Sequence, residues 1–364
     1  MKNTFGNSVT VTLAGESHGE AIVVILDGLR PGIVVSEDAI AAKLALRRPS
    51  GTISAPRRET DEFCILSGVF EGRTTGTPLC ILIPNTAKRS TDYEATRYLP
   101  RPGHADLTAS MKYGGFQDYR GGGHFSGRVT AGLVAAGAVA EAALAAYGVR
   151  IGTHIAAIGA VYDRKFADLG TDLAYLSDKS FPVLDEAKAE AMRQIIEEAR
   201  LDRDSVGGIL ETAVIGLGGG YGEPWFDTVE SMLSHILFAI PAVKGVEFGD
   251  GFAMAAMRGS EANDAFVGEQ GRIVTETNHN GGINGGITNG MPILFRCAIK
   301  PTPSIGKEQS TVDMNTAEET ILSVGGRHDP CIVHRAASVV NACTALALLD
   351  LVTMRDGNAP REHR

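Results

Sequence analysis

Four histidines of this chain stand in short glycine-bounded segments that also carry serine, arginine or aspartate: His18 in "GESHG", His104 in "RPGHAD", His124 in "GGGHFSGR" and His328 in "GGRHDP". An imidazole exchanges protons near neutral pH, and glycine lets a ligand approach the backbone. In residues 15–19, Ser17 and His18 offer a hydroxyl and an acid, or a polar turn at a strand end. Their order does not fit the GxSxG elbow of a serine hydrolase. In residues 101–106, Pro102 and Gly103 predict a turn presenting His104 between Arg101 and Asp106, whose charges push a histidine pKa in opposite directions. "RHDP" groups Arg327, His328 and Asp329, so Asp329 is either a base or half of a salt-bridged turn.

Arginine is the second chemical theme. "RRP" (47–49) and "RRE" (57–59) place two pairs within twelve residues. Arg47 and Arg48 close a predicted helix, where they could simply satisfy its C-terminus. Two such pairs exceed what capping requires, and the planar guanidinium fork suits phosphate and carboxylate. In "GGGHFSGR" (121–128), three glycines precede a helix predicted to begin near Ser126, which supplies free N–H groups and a positive dipole end for an anion. This segment is neither a Walker loop nor a dinucleotide GxGxxG, and "GLGGGYGEP" (216–224) runs into Glu-Pro-Trp, not into an apolar helix. The steps in "NHNGGINGGITNG" predict hairpin tips.

Composition bounds these possibilities. The 364 residues are 44% hydrophobic and 21% charged, as in a soluble globular protein. Glycine supplies 44 of the 364, about 12% against a usual level of about 7%, so many loops are expected to hold a ligand. A formal charge of −9 argues against general attraction to nucleic acid or an anionic membrane. Any anion site must then be a local arginine cluster. Cys64, Cys80, Cys297, Cys331 and Cys343 show no CxxC spacing, so neither a disulfide framework nor a zinc site is expected, and a reducing cytoplasm fits. The first residues lack the continuous apolar run of a secretory signal. Residues 129–148, rich in Ala and Gly but interrupted by Glu141, raise a membrane question and read as a buried helix.

Strands are predicted at "SVTVTL", "AIVVIL", "PLCILI", "RIGTHIAAI", "GILETAVIG" and "PILFRCAI", and helices at 37–47, 127–147, 185–201, 228–239 and 335–352. The result is a mixed α/β architecture with strands apolar on both faces in places. Residues 162–188 read as a surface excursion. With no linker composition anywhere, a single domain spanning 1–364 is expected.

Five such segments in this order resemble the chorismate synthase family. The match is carried by "GESHG", "DGLRPG", "RRP", "RRETDEF", "LSGVFEGRTTGTP", "RPGHADLTASMKYGG", "DYRGGG", "AVKGVEFGDGF", "MRGS", "NHNGGINGGI", "KPTPSI" and "GGRHDPC", from Gly15 to Cys331. The resemblance implies a single-domain β-α-β layered sandwich, a homotetramer, and an anti-1,4-elimination of phosphate and the C6 hydrogen from 5-enolpyruvylshikimate 3-phosphate to give chorismate. It also implies reduced FMN without net redox change, the flavin lending electron density while phosphate leaves.

By position, the resemblance implies His18 as acid at the leaving phosphate, His104 beside the flavin and Asp329 as base. Flavin contacts fall on His124, Phe125, Ser126, Pro241, Ala242, Gly285, Lys300, Pro301, Thr302, Pro303, Ser304 and Arg327; substrate contacts fall on Ser17, Arg47, Arg48, Arg101 and Arg128. The chain departs from the commoner family pattern at His124-Phe125, where Arg-Ser or Arg-Ala is usual, at Pro241, where Asn is usual, and at Val129, where Glu is. "RRPSGTISAPRR" lacks an arginine often tied to NADPH, so NADPH is expected only indirectly, for flavin reduction outside this chain. Two competing readings remain: a metal-dependent phosphohydrolase using His18, His104, His124 and Asp329, for which no ligand spacing is present, and a non-catalytic flavin- or phosphosugar-binding protein.

Overall fold

Alternating burial along the strands builds two antiparallel sheets. In Ala21–Asp27, residues Ile22, Val24 and Leu26 are fully buried, while Ile25 between them turns outward. They pair across the ladder with Ile83, Ile81 and Leu79 of Leu79–Pro84, so one apolar face points inward. The first sheet has the order Thr4–Phe5, Thr10–Ala14, Ala21–Asp27, Leu79–Pro84, Cys64–Ser67. The second runs Val243–Phe248, Ile293–Ile299, Gly208–Ile215, Arg150–Ile158, Val161–Tyr162. The computed structural model describes residues 2–49, 53–54, 60–86, 94, 96–325 and 329–357. Arg57, Arg58, Arg327 and His328 lie outside the described residues.

A helical layer separates the sheets. Helix Thr130–Ala145 packs on the first sheet and against helix Val333–Asp356, which in turn packs on the second. The two helices approach so closely that a Cβ on Gly137 would sit 2.3 Å from the Ala342 Cβ. Small residues are therefore what this crossing demands. Both helices are long and apolar enough to cross a membrane, yet both are mostly buried in the protein. The sequence reading raised that question for residues 129–148 alone; Val333–Asp356 raises it as well, and both serve here as core helices.

The expected helix 37–47 is present as Glu37–Arg47, N-capped by the Ser36 hydroxyl. The one expected at 127–147 opens as a 3-10 turn, Gly127–Val129, before its α-helical part. The 162–188 excursion differs from expectation in holding helix Leu169–Leu176, whose Leu173 fills the space above Gly152 of the second sheet. Helix Asp106–Tyr113 was also absent from the sequence reading, because only its Ala109 is buried and no apolar stripe marks it. Asp350, fully buried in the last helix, accepts the N–H groups of Asn7, Ser8 and Val9 at 2.7–2.8 Å and fixes the amino-terminal strand.

Candidate active site

A cavity of about 800 Å³ opens where five parts of the fold meet: the C-terminus of Glu37–Arg47, the starts of Thr130–Ala145 and Val333–Asp356, and the loops 101–105 and 300–304. Two long helices thus aim their positive ends at one space, which favours an anion. Arg47, Arg101, His104, His124, Phe125, Ser126 and Arg128 line it. So do Pro241, Ala242, Lys300, Thr302, Pro303, Ser304 and Asp329. Residues spread over nearly 300 positions of sequence are gathered around one cavity.

The turn at Pro102-Gly103 presents His104 as expected, with the His104 N–H on the Arg101 carbonyl at 3.1 Å. Asp106 Oδ1 lies 2.7 Å from His104 Nδ1, and Arg101 grips the same carboxylate through Nε and Nη2, both at 2.8 Å. Burial opposes ionisation of Asp106, but the hydrogen bonds from Arg101 and His104 outweigh it and hold the carboxyl far below the usual range. An ionised acceptor at 2.7 Å assigns the Nδ1 proton to His104, leaving Nε2 for the ligand. The Arg101 Nη2 approach to Nδ1 at 3.1 Å is then a packing contact. Arg101 Nη1 continues to Ser304 Oγ at 3.0 Å, and Lys300 donates to the Gly103 carbonyl. One carboxylate therefore organises both loops.

The glycine run answers a different need. Gly121, Gly122 and Gly123 all have positive φ, and a Cβ on Gly121 would fall 2.3 Å from His18 Cε1. His18 packs directly beneath this loop and is 7% exposed. Its Nδ1 donates to Ser17 Oγ at 3.1 Å, because that hydroxyl gives its own proton to the Arg120 carbonyl at 3.0 Å. Gly121 lines the cavity, whereas Ser17 and His18 lie behind it. His124 turns its Nδ1 to the Gly15 carbonyl at 2.7 Å and so joins the two histidine segments. Phe125 meets the Tyr113 ring edge-on, and Ser126 Oγ accepts the Arg128 N–H.

Arg48, Pro301 and Gly285 do not reach the cavity wall. Arg48 Nε is buried with no hydrogen-bond partner among the described residues. Gly285 occupies the tip of the small hairpin between Ile283–Asn284 and Ile287–Thr288. No group of three or more metal-ligating side chains gathers among the described residues.

Sequence reasoning missed several residues. Arg335 lines the cavity, where its Nη1 meets Asp329 Oδ2 at 2.8 Å and its Nε donates to the Arg47 carbonyl at 2.9 Å. Asp61, inside the quoted "RRETDEF", lies behind the wall against both Arg47 and Arg128. Phe5 and His235 meet edge-on at 5.3 Å and line the apolar end. Only Asp61 left a signal in the sequence, as an acid close behind two arginine pairs. The others depend on contacts between distant segments.

A profile of the chorismate synthase family matches residues 9–353. The chain belongs to the chorismate synthase family. A chorismate synthase of Aeropyrum pernix is 47% identical, the alignment covering 99% of this chain and 95% of the relative. One of Thermococcus gammatolerans is 47% identical over 96% and 97%, and one of Dehalococcoides mccartyi 45% over 99% of each. A solved chorismate synthase crystal structure superposes with a TM-score of 0.76 at 28% identity, over 96% of this chain and 93% of the other. The α/β layered fold and the lyase class follow from membership, and the phosphohydrolase and binding-only readings find no support in these relatives. Chorismate synthases use a flavin, and this cavity suits one: Thr302 Oγ1, on a lining residue, is buried without a partner among the described residues, between cationic loops and an apolar end.

Proposed function

We propose that this single-domain protein converts 5-enolpyruvylshikimate 3-phosphate to chorismate by anti-1,4-elimination of phosphate and the C6 hydrogen, with reduced FMN bound beside the substrate. The observation that carries this reading is the Arg101–His104–Asp106–Ser304 assembly on the wall of an 800 Å³ cavity. When bound, the reduced flavin supplies electron density that makes loss of phosphate possible without net redox change.

The chain's own residues do the rest. Lys300, Thr302, Pro303 and Ser304, with His124, Phe125, Ser126, Pro241 and Ala242, are the proposed flavin contacts on this cavity; the family pattern also assigns Pro301 and Gly285, which lie off its wall, and Arg327, which lies outside the described residues. Among their donors are Thr302 Oγ1, buried without a partner among the described residues, and the Lys300 ammonium, which also donates to the Gly103 carbonyl. Arg47, Arg101 and Arg128 face the substrate's anionic groups, with Arg48 and Ser17 behind them. His104, its Nδ1 proton fixed by Asp106, exchanges a proton at Nε2. His18 sits under the glycine loop as the acid for the departing phosphate, and a small movement of Gly121 would bring it into contact. Asp329, oriented by Arg335, receives a proton at its carboxylate.

We further propose a homotetramer in a reducing cytoplasm, with no nucleic-acid or membrane partner and with NADPH acting only through an outside flavin reductant. FMN binding followed by flavin fluorescence tests the placement. Thr302→Val is expected to weaken binding about tenfold, the size of one hydrogen bond to a charged or strongly polar group. Unchanged affinity would remove the flavin from this end of the cavity.

A further inference from the structure

Strand Leu79–Pro84 stops at a proline paired with Ala21, and Asn85 follows one residue beyond the ladder. Its backbone N–H still reaches the Glu20 carbonyl at 3.0 Å. That bond holds the buried Asn85 side chain against the segment entering strand Ala21–Asp27. The segment is the tight turn Glu16–Gly19, closed by the Gly19 N–H on the Glu16 carbonyl at 3.1 Å, with Ser17 and His18 at its two middle positions. Asn85 Nδ2 donates to the carbonyls at both ends of the turn, Glu16 at 2.9 Å and Gly19 at 3.1 Å. Its Oδ1 accepts from Arg128 Nε at 2.9 Å. One amide thus places both its hydrogens on the turn that carries His18 and its oxygen on an arginine of the cavity wall.

From this geometry we infer that Asn85 is a positioning residue for the elimination: it sets where His18 stands relative to Arg128. The inference rests on the reading of His18 as the acid for the departing phosphate and of Arg128 as a substrate contact. Asn85 does not line the cavity, so it acts through the groups it holds. An amide suits this place because the turn calls for two donors and the guanidinium for an acceptor, and a carboxamide carries both on one planar group. A carboxylate would instead turn lone pairs toward two carbonyl oxygens. The turn keeps two further ties to the glycine loop, the Ser17 N–H on the Gly123 carbonyl and the Ser17 hydroxyl on the Arg120 carbonyl, both at 3.0 Å. Loss of the amide is therefore expected to shift the turn and not to release it. A shift of about 1 Å at a reacting group costs on the order of 10²-fold in rate.

The test measures kcat and KM for 5-enolpyruvylshikimate 3-phosphate, with reduced FMN supplied, in Asn85→Asp, Asn85→Ala, His18→Ala and the double variant Asn85→Asp with His18→Ala. Aspartate keeps an acceptor for Arg128 but loses both donors to the turn, so it separates the two halves of the role. Asn85→Asp is expected to lower kcat about tenfold or more with KM held within about threefold, whereas Asn85→Ala lowers kcat and also raises KM about fivefold. Added to His18→Ala, Asn85→Asp is expected to cost no more than about twofold further in kcat, because the amide works through that histidine. Losses that multiply in full would overturn the inference, as would a folded Asn85→Asp of lowered thermal stability but unchanged kcat, which would make Asn85 a structural link. If His18→Ala itself keeps its kcat, the reading of His18 as the acid fails and takes the inference with it; a low kcat in His18→Ala beside a full kcat in Asn85→Asp sinks the inference alone. Should Asn85→Asp not fold, Asn85→Gln carries the same comparison: it keeps both donors and the acceptor but moves them by one methylene. A kcat loss in that variant that vanishes in the His18→Ala background supports the inference, and an unchanged kcat contradicts it.

Discussion

His104 Nδ1 and Asp106 Oδ1 lie 2.7 Å apart, and Arg101 holds the same carboxylate from the other side. This fixes one proton on Nδ1 and leaves Nε2 as the working atom. His104→Ala is expected to slow turnover by roughly 10² to 10⁴, the usual span for a general acid or base. Asp106→Asn should slow it less while leaving the fold intact. A loss below about fivefold in His104→Ala, measured in steady state with reduced flavin, would make His104 structural.

The same carboxylate sets a pH dependence of stability. Asp106 has a folded pKa below its unfolded value, so its pairing stabilises the protein in full above about pH 4 and is lost as pH falls further. Urea unfolding of the protein and of Asp106→Asn should differ by about 1 to 3 kcal/mol at pH 6, the cost of a lost buried partner. That gap should narrow below pH 4; a gap constant from pH 6 to pH 3 would contradict the pairing.

Gly121→Ala tests whether His18 acts from beneath the loop. The added Cβ meets the His18 ring, so the ring or the loop must shift. Turnover should fall at least tenfold, as it should in His18→Ala, with FMN affinity held within about threefold. Equal turnover in Gly121→Ala and the parent protein would separate His18 from the chemistry.

His154 presents the opposite pH sign. Its ring is fully buried on the second sheet, with Asp163 Oδ2 at 2.9 Å and Glu211 Oε2 at 3.0 Å on its two nitrogens, Phe166 against its edge, and Arg164 paired to the nearby Asp172. Burial opposes its charge, but Asp163 and Glu211 outweigh that and raise its pKa. The stabilisation is therefore complete below about pH 6.5 and is lost as pH rises through the raised folded value. His154→Gln should lose roughly 3 kcal/mol or more at pH 6 by stranding two carboxylates. It should also lose less stability than the parent between pH 6.5 and 9; equal slopes would contradict a charged His154.

At the helix crossing, Gly137→Ala improves helix propensity by about 1 kcal/mol. Yet it drives a Cβ into Ala342, so a net destabilisation of about 1 to 3 kcal/mol is expected by thermal unfolding. A stabilised variant would mean that the two helices can part without loss.

Much of this fold was legible because its strands and helices carry strong patterns. Arg150–Ile158, rich in β-branched and apolar residues around Thr153 and His154, matches the predicted run at both ends, and Glu37–Arg47 has a Ser cap and a Pro stop. Helix Asp106–Tyr113 was not legible, since its stability comes from the Arg101–Asp106 contact and not from an apolar face. In the site, glycine and histidine segments stood out singly, but their meeting did not. Arg335 sits in an ordinary helix start, and only the fold brings it to Asp329. His18 was readable as chemistry, yet its place behind Gly121 depends on a positive-φ turn 100 residues away.

The central claim is the flavin-dependent elimination, and phosphate release under strict anaerobiosis tests it most directly. With 5-enolpyruvylshikimate 3-phosphate and dithionite-reduced FMN, the protein is expected to release one phosphate per chorismate formed, with none when FMN is oxidised or omitted and no gain from NADPH alone. Absence of phosphate release with reduced FMN, or release that needs a metal ion and stops with a chelator, would contradict the account.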